Sequence, residues 1–468
     1  MIALGDLADE YCASNLGDER LSRRLVDLAT MAAAEPAASF PKMTQHDSEL
    51  EATYRFLSND RISAEEILAP HRRQTALRAK DMNRVVVAHD TTEFNYGKSK
   101  RKDLGLVGQG KSHGFYAHVA LAISGDEQRD ALGVSAMEVH QRHGGRGRRS
   151  HRILQSDENN EFHRWRRVLQ QSSDLLGLNP INVMDREADS YAFLAELKEH
   201  GHRFVVRMAS DKRRIADGGN VEQALAKAPV IASREVPLTR RKASSMPNYN
   251  RLHPQRRARM AQLEMRAMTV TIKRPSSSNQ SPAKTITLSV VHVVEENPPE
   301  DQPEVEWRLW TTEPIETADD VLAIVDAYRA RWRVEEYFKA LKTGCALEKR
   351  QLETHEALVR TLFLFAPIAW RLLRLRNVAQ RDDDTPAEKT ISSIQLRCLA
   401  LALKKFRKKE LPPEPTARNV MFAIASLGGH LKRNGPPGWQ TLGRGFDKLL
   451  ALEAGFQLAM EAMGIQEM

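Results

Sequence analysis

The spacing of apolar positions changes several times along the chain. In the first 75 or so residues, stretches such as LGDERLSRRLVDLATMAAA carry apolar side chains three and four positions apart, which predicts amphipathic helices with Asp18 as a helix cap. From Arg84 the runs RVVVAHDTTEF, FYAHVALAIS and ALGVSAMEVH are rich in β-forming residues and bounded by turn residues. Three such runs in succession predict a β-meander.

Helical and strand patterns alternate after the basic loop RHGGRGRRSHR. The stretches ENNEFHRWRRVLQQSSDLLG and SYAFLAELKEHG predict helices, and PINVMD and RFVVRM predict short strands. Strands joined by helical crossovers pair in parallel, so the order β-β-β-α-β-α-β predicts a mixed sheet.

The second half of the chain begins with another strand-rich region. TVTIKR, KTITLSVVHVVEE and EVEWRLWTT lie between about 210 and 312 and predict a β-rich insertion. TADDVLAIVDAYRARWRVEEYFKALKTG then predicts one long helix over 318–344, capped by Thr317 or Asp319, and the remaining tail is mostly helical.

Composition narrows the classes of protein that fit this pattern. A chain of 468 residues exceeds the size of one hydrophobic core, so two to four domains are expected. The net charge of +9 favours a polyanionic partner. Cys12, Cys345 and Cys398 lie far apart, which argues against disulfides or a cysteine-based zinc site and fits a reducing cytoplasm. No apolar run approaches the 18 residues or so of a membrane span, so no membrane partner is expected.

The stretch GLVGQGKSHG matches the phosphate-binding pattern G-x-x-x-x-G-K-[ST] at Gly105, Gly110, Lys111 and Ser112. That pattern cradles phosphates only where the glycine loop opens a helix. Here the β-forming run FYAHVALAIS follows, so the loop is interpreted as a hairpin connection and no bound nucleotide is expected.

Two acidic residues end buried strand patterns, Asp90 after VVVAH and Asp185 after INVM. Carboxylates at the ends of neighbouring strands suit Mg²⁺, a hard cation that takes oxygen ligands. Each acid also suits a turn or a helix cap, and the residues alone leave both readings open. Asp189 is predicted to cap the helix SYAFLAELKEHG.

The predicted helix over 318–344 carries a polar stripe. Tyr328, Arg331, Glu335 and Lys342 are offset by 3, 7 and 14 positions, which places them on one side of a helix. The stripe fits a solvated face with ion pairs. It also fits a site in which Glu335 adds a third carboxylate while Arg331 and Lys342 hold phosphates.

Three blocks resemble the DDE transposases of bacterial insertion sequences, specifically the insertion-sequence-four group: HDTTEFNY, VMDREADSYAFL with RFVVR, and YRARWRVEEYFKALKTG. The last block contains the family signature Y-x-x-R-x-x-x-E-x-x-x-x-x-x-K. LGDERLSRRLV and TYRFLSND near the N-terminus, and AIASLGGHLKR and PGWQTLGRGFDKL near the C-terminus, are also similar. The likeness therefore covers almost the whole chain.

The resemblance implies an α/β fold with a ribonuclease-H-like mixed-sheet catalytic core and a β-rich insertion, flanked by helical N- and C-terminal domains. The implied divisions are an end-binding domain over 1–75, a catalytic domain over 76–350 and a dimerisation domain over 351–468. The implied activity is cut-and-paste transposition by a homodimer, acting on double-stranded DNA with inverted repeats at the element ends and on target DNA through a hairpin intermediate.

The resemblance also assigns residues. Asp90, Asp185 and Glu335 would bind two Mg²⁺ ions, with Mn²⁺ able to substitute. It implies that a displaced DNA base stacks on Trp307 and that Tyr328, Arg331 and Lys342 bind the adjacent phosphate. Arg207 would be a basic residue near the site. Arg20 and Arg24 would contact DNA from the N-terminal end-binding helices.

Other interpretations of these residues stay open. Trp307 in WRLW also suits a core position, Arg207 suits a local ion pair, and Arg20 and Arg24 suit a solvated helix face. The basic loops 142–152 and 239–259 fit phosphate tracks or solvated loops equally. A catalytically idle DNA-binding relative is the main alternative function, and a nucleotide-driven enzyme a weaker one.

Overall fold

The computed structural model describes residues 7–97, 101–142, 161–177, 179–241, 243, 254–278, 281, 283–380, 384–431 and 437–464. Helices form both ends of this described chain, and a ten-stranded mixed sheet lies between them.

The helices share apolar faces that pack on the sheet or on one another. In chain order they are α1 (Glu19–Ala34), α2 (Phe40–Met43), α3 (Asp47–Leu57), α4 (Ala64–Lys80), α5 (Glu161–Leu176), α6 (Tyr191–Glu199), α7 (Val221–Leu225), α8 (Ala318–Ala330), α9 (Trp332–Lys339), α10 (His355–Gln380), α11 (Ser393–Ala402), α12 (Ala417–Leu427) and α13 (Trp439–Ala462).

The strands join into a single sheet. They are β1 (Val85–Asn95), β2 (Gly105–Val107), β3 (Ser112–Ser124), β4 (Ala131–His140), β5 (Ile181–Met184), β6 (Arg203–Arg207), β7 (Val230–Leu238), β8 (Arg259–Lys273), β9 (Thr285–Glu295) and β10 (Glu306–Thr311). Their spatial order is β2-β3-β1-β5-β6-β10-β9-β8-β7, with β4 on β3.

The predicted core topology is confirmed. Strands β1, β3 and β4 pair antiparallel as a meander, and β1, β5 and β6 pair in parallel because α5 and α6 supply the crossovers. The short strand β2 and strand β7 were not predicted. Strands β7 to β10 continue the same sheet, since β10 pairs antiparallel with β6 and β9 with β10.

The prediction of one continuous helix over 318–344 is wrong. Thr317 caps α8 through the backbone N–H of Asp320, as predicted for this residue, but α8 ends at Ala330. Helix α9 begins at Trp332, and a π-helical turn occupies 340–344. The break lies at Arg331, whose side chain reaches the carboxylate of Asp90, described below.

The predicted cap of α6 is also wrong. Ser190 accepts the N–H of Phe193, while Asp189 is 9% exposed and pairs with Arg213 at 2.6 Å. A buried carboxylate beside an arginine is stabilised more by that ion pair than by an exposed cap. Asp18 does cap α1, by accepting the N–H of Arg20.

Buried arginines join the N-terminal helices to α10. Arg360 donates to the carbonyls of Leu57 and Ile62 at 2.9 and 2.8 Å. Arg350, just before α10, donates to the carbonyls of Pro36 and Ala38, both at 2.6 Å. Because each guanidinium satisfies several carbonyls, the first helices are held rigidly on the sheet-covering helix.

Helices α12 and α13 cross at unusually short range. A Cβ at Gly445 would lie 1.9 Å from the Ile424 carbonyl oxygen, and one at Gly428 would lie 2.0 Å from that of Thr441. Glycine is therefore required at both positions. Across the described part of the chain, no helix is both long and apolar enough to cross a membrane.

Candidate active site

Three separate elements bring carboxylates toward one point on the sheet. Asp90 lies in the middle of β1, just beyond the residues that pair in parallel with β5. Asp185 follows β5 directly, and Glu335 lies in the first turn of α9. The expectation that Asp90 ends its strand is wrong, since β1 continues to Asn95 through its pairing with β3.

Arg331 bridges two of these carboxylates. Its Nη1 donates to Asp90 Oδ2 at 2.8 Å and its Nη2 to Glu335 Oε1 at 2.6 Å. The side chains of Arg331, Asp90 and Glu335 are 14, 18 and 30% exposed. Partial burial strengthens both charge-assisted hydrogen bonds.

Asp185 lies beside Asp90 and Glu335, and among the described residues it forms no hydrogen bond with Arg331. Its Oδ1 accepts the backbone N–H of Glu187 at 2.9 Å, which fixes the carboxylate at the end of β5. Its negative charge raises the pKa of both Asp90 and Tyr328. The three carboxylates therefore form one electrostatic cluster.

The pKa of Asp90 is raised chiefly by burial and further by the neighbouring carboxylates. Burial, together with the charges of Asp185 and Glu335, raises it from 3.8 to about 7, although Arg331 and the N–H of Thr91 oppose the rise. A carboxyl with such a pKa is short of compensating positive charge.

This donor set suits a divalent cation. Among the described residues, no three His, Cys, Asp or Glu side chains stand close enough to hold a metal ion as they are placed. A guanidinium occupies the space between Asp90 and Glu335 instead. Carboxylate oxygens around a site that lacks positive charge are the ligands that Mg²⁺ prefers.

An aromatic and basic wall adjoins the cluster. The rings of Trp307 and Tyr328 meet edge to face with centroids 5.6 Å apart. Trp307 is half-buried at the start of β10, whereas Trp310, the second tryptophan of WRLW, is fully buried. Arg207 ends β6, and burial raises the pKa of Tyr328 while the nearby charge of Arg207 lowers it. Tyr328 of the polar stripe thus lies against Trp307 and near Arg207, two strand residues that only the family resemblance had assigned to the site.

A polar cavity of about 120 Å³ opens beside this wall. Its lining includes Arg186, Arg207 and Arg308, with Glu306 and Asp211. Burial and the neighbouring charge of Arg207 lower the pKa of Arg186. Arg186 and Arg308 were missed in the sequence, although Arg186 directly follows Asp185 and could have been noticed there.

Among the described contacts, Lys342 meets Phe94 and Glu348 and none of the three carboxylates. Its Nζ is 5.6 Å from the centroid of Phe94, four residues beyond Asp90 on β1, and 4.0 Å from Glu348. Trp332, directly after Arg331, is 51% exposed and carries Lys339 5.5 Å over its ring. An exposed tryptophan beside the carboxylate cluster is a second candidate aromatic contact that the sequence analysis missed.

An arginine cluster fixes the opposite side of the helix that carries the site. Asp326 on α8 accepts hydrogen bonds from Arg129, Arg234 and Arg329 at 2.8 to 3.1 Å. These arginines come from a hairpin turn, β7 and α8 itself. The helix is thereby clamped behind Tyr328 and Arg331.

A buried network lies behind Asp90, on the other face of β1. His89 Nε2 is 2.9 Å from Asn182 Oδ1, and Asn182 Nδ2 donates to the carbonyl of Arg203 at 3.1 Å. Burial lowers the pKa of His89 to about 4, so the ring is neutral at pH 7. This network ties β1, β5 and β6 together at the level where Asp90 and Asp185 emerge.

The remaining predicted residues lie away from the cluster. Arg20 and Arg24 lie on α1, exposed and half-buried respectively. Most of the basic loops 142–152 and 239–259 lies outside the described residues. The glycine loop leads from β2 into β3 and opens no long helix, because β3 begins at Ser112. Its phosphate-binding pattern therefore has none of the required context.

Comparison with known families identifies both regions. A family model described as Transposase DNA-binding matches residues 7–62, which contain α1 and α3. A second, described as Transposase DDE domain, matches residues 136–369, half of the chain. That match includes Asp185 and Glu335, while Asp90 precedes it. The DDE domain implies a ribonuclease-H-like fold, in keeping with the mixed sheet, and the chain belongs to the DDE transposase family.

Proposed function

We propose that this chain is a cut-and-paste DNA transposase of the insertion-sequence-four group, most similar to the transposon-five transposase. Asp90, Asp185 and Glu335 are its catalytic and metal-binding residues. The proposal is supported above all by Arg331, which bridges Asp90 of β1 and Glu335 of α9, and by the charge of Asp185 at the end of β5, which acts on Asp90.

We assign to this cluster a pair of Mg²⁺ ions, replaceable by Mn²⁺, which would bind once Arg331 leaves the carboxylates. Divalent cations bound there would lower the pKa of the attacking hydroxyl or water and stabilise the leaving oxygen in an in-line displacement. Asp90, Asp185 and Glu335 would hold the cations, and the N–H of Glu187 would keep Asp185 oriented. Arg331 would pass from the carboxylates to a phosphate oxygen, since a guanidinium matches both groups.

The chain's residues position each DNA strand for the first cut. Water attacks the phosphorus at the element end, and the bond to the 3′-oxygen breaks to leave a 3′-hydroxyl and a 5′-phosphate. Tyr328, Arg331 and Lys342 hold the adjacent phosphate, and Arg207 adds positive charge beside Tyr328. Positioning and charge stabilisation carry most of the catalysis of phosphoryl transfer.

A hairpin forms when the freed 3′-hydroxyl attacks a phosphorus of the opposite strand, which breaks the bond to the flanking DNA and releases that DNA with a 3′-hydroxyl. The strand must bend sharply in a hairpin, and this bending is easier when one base leaves the stack. Unstacking that base costs a few kcal/mol. Trp307 offers a half-buried ring edge-on to Tyr328, next to the polar cavity lined by Arg186 and Arg308. Stacking of the displaced base on Trp307 would offset that cost. A second water breaks the hairpin phosphodiester and regenerates the 3′-hydroxyl, which then attacks a phosphorus of target DNA and displaces a target 3′-hydroxyl.

Recognition of the element ends is assigned to α1, where Arg20 and Arg24 lie within the matched DNA-binding range. The divisions 1–75, 76–350 with its insertion, and 351–468 are proposed as the functional units. We assign the dimer contact to the C-terminal end of α13, where Leu458 and, directly after the helix, Met463 are 66 and 64% exposed, because the apolar face of α12 is buried within the chain.

Linear DNA carrying the element's own ends tests this function. The protein is incubated with it in Mg²⁺ and in EDTA, beside Asp185→Ala, and the products are resolved on denaturing gels. Metal-dependent nicks and hairpins that disappear in the variant are expected. Paired-end complexes that form without any cleavage would instead identify an idle DNA-binding protein.

A further inference from the structure

A strongly basic segment lies outside both matched ranges, in the C-terminal helical region. Residues 401–412 read LALKKFRKKELP, with five cationic side chains against one carboxylate. These cations form what we call the 404–409 cluster: Lys404, Lys405, Arg407, Lys408 and Lys409. All five are exposed. Twelve residues therefore carry a net charge of +4 in a chain whose total is +9.

The backbone of the cluster is fixed although its side chains face solvent. It forms a π-helical turn over Leu403–Arg407, anchored by Leu403, which is 3% exposed. The turn ends at Lys408 in the left-handed conformation, and the N–H of Lys409 bonds to the Leu403 carbonyl at 3.3 Å. Arg407 donates to the carbonyl of Leu427 at the end of α12. The lysines therefore project from a defined scaffold.

Little of this charge is neutralised within the chain. Lys404 and Glu410 approach to 3.4 Å, but both side chains are 74% exposed, so the pair is weak. In the described part of the chain, Lys405, Lys408 and Lys409 form no ion pair. Neighbouring cations without acidic partners repel one another, and an anionic partner would relieve that repulsion.

The chemistry of the cluster indicates which anion it binds. Lysine presents a point charge on a flexible stem and lacks the planar fork that recognises bases or single phosphates in fixed geometry. A row of lysines binds the phosphates of a nucleic acid backbone without reading its sequence. Recognition of element ends needs base readout and has its own matched region over 7–62.

We propose that the 404–409 cluster binds the phosphodiester backbone of duplex DNA without regard to sequence. Within the proposed transposition reaction, on which this assignment rests, its substrate is the target DNA. Target DNA differs in sequence from one event to the next, so a contact that reads only phosphates suits it.

The test compares two sets of three lysines with equal charge loss. The cluster variant is Lys405→Gln, Lys408→Asn and Lys409→Gln, where asparagine suits the left-handed conformation. The control variant is Lys80→Gln, Lys227→Asn and Lys284→Gln, three exposed and scattered positions. A third variant places arginine at 405, 408 and 409 and keeps the charge. Affinity for a random-sequence duplex is measured from 50 to 200 mM salt, beside single-end cleavage and strand transfer into a plasmid.

Each phosphate contact contributes about 0.9 to the slope of log affinity against log salt. The cluster variant should lose about 2 to 3 from the slope and transfer at least 5-fold less, with single-end cleavage unchanged. The control and arginine variants should behave as the wild type.

Several results would overturn the assignment. These are an unchanged slope in the cluster variant, an equal loss of slope in the control variant, or unchanged strand transfer into the plasmid by the cluster variant. If the wild type cuts no element end, the proposed function fails, but the slope measured on the random duplex still decides whether the cluster binds DNA.

Discussion

Replacement of Arg331 by alanine should tighten metal binding while it slows DNA cleavage. Arg331 holds Asp90 and Glu335 through hydrogen bonds of 2.8 and 2.6 Å, so it competes with any cation for the same oxygens. Without the guanidinium, the site gains negative charge and the pKa of Asp90 should rise further above about 7.

The size of the effect follows from these contacts. A hydrogen bond to a charged group contributes about 1.5 to 3 kcal/mol, and a cation must displace at least one of them. That corresponds to about 10- to 150-fold in metal affinity, and partial exposure of the three side chains favours the lower end. Loss of the phosphate contact should slow cleavage by about 100-fold or more.

Binding of Mn²⁺ to the protein without DNA, followed by electron paramagnetic resonance or calorimetry, measures the first effect. Single-turnover nicking of an element end in saturating Mg²⁺ measures the second. Arg329→Ala is the control, because Arg329 lies on the same helical segment and shares Asp326 with two other arginines. Equal or weaker Mn²⁺ affinity in Arg331→Ala would refute the idea that the guanidinium and the metal occupy one place.

Three further perturbations test other parts of the structure. Glu10 is 5% exposed, and its pKa is lowered from 4.5 to about 2 because the effects of His71 and Arg78 outweigh that of burial. The ionised Glu10 therefore stabilises the folded protein above about pH 4.5, and this contribution is lost as the pH falls toward 2. Glu10→Gln should therefore cost about 3 kcal/mol at pH 7 in urea unfolding and flatten the acid limb of stability, and equal stability of both proteins at pH 7 would contradict this. Trp307→Ala should slow hairpin formation by about 10-fold or more and first-strand nicking by less than about 3-fold, whereas Trp307→Phe should restore hairpins; equal losses in both steps would indicate a packing defect. Lys111→Ala should leave cleavage unchanged with or without ATP, and a nucleotide-dependent rate would revive the nucleotide-driven alternative.

Much of the core could be read from local patterns. Asp90 and Asp185 follow apolar runs whose length and flanks are typical of buried strands, and the helical stretches between the later runs fixed the parallel pairing. The polar stripe of Tyr328, Arg331 and Glu335 followed from helical spacing, because these residues span barely two turns. Short-range periodicity carries this information directly.

Contacts between distant residues were not readable. The helix breaks at Arg331 without a proline or glycine there, and Arg331 reaches Asp90, 241 positions away in the sequence. Asp189 and Ser190 are both good caps, and only the burial of Asp189 against Arg213 decides between them. Asp326 forms ion pairs with arginines from a hairpin turn, β7 and α8, and no local pattern in the sequence predicts that these elements meet.

The central claim is that Asp90, Asp185 and Glu335 form one metal-dependent catalytic centre. Its most direct test is the single-turnover rate of first-strand nicking in Mg²⁺ for Asp90→Asn, Asp185→Asn and Glu335→Gln, beside Glu336→Gln. Glu336 is adjacent in sequence but pairs with Arg333 at 2.8 Å, away from the cluster. Each of the first three should lose about 1,000-fold or more while retaining end binding, and Glu336→Gln should stay within a few-fold of the wild type. Near-wild-type nicking by any one of the three would contradict the account.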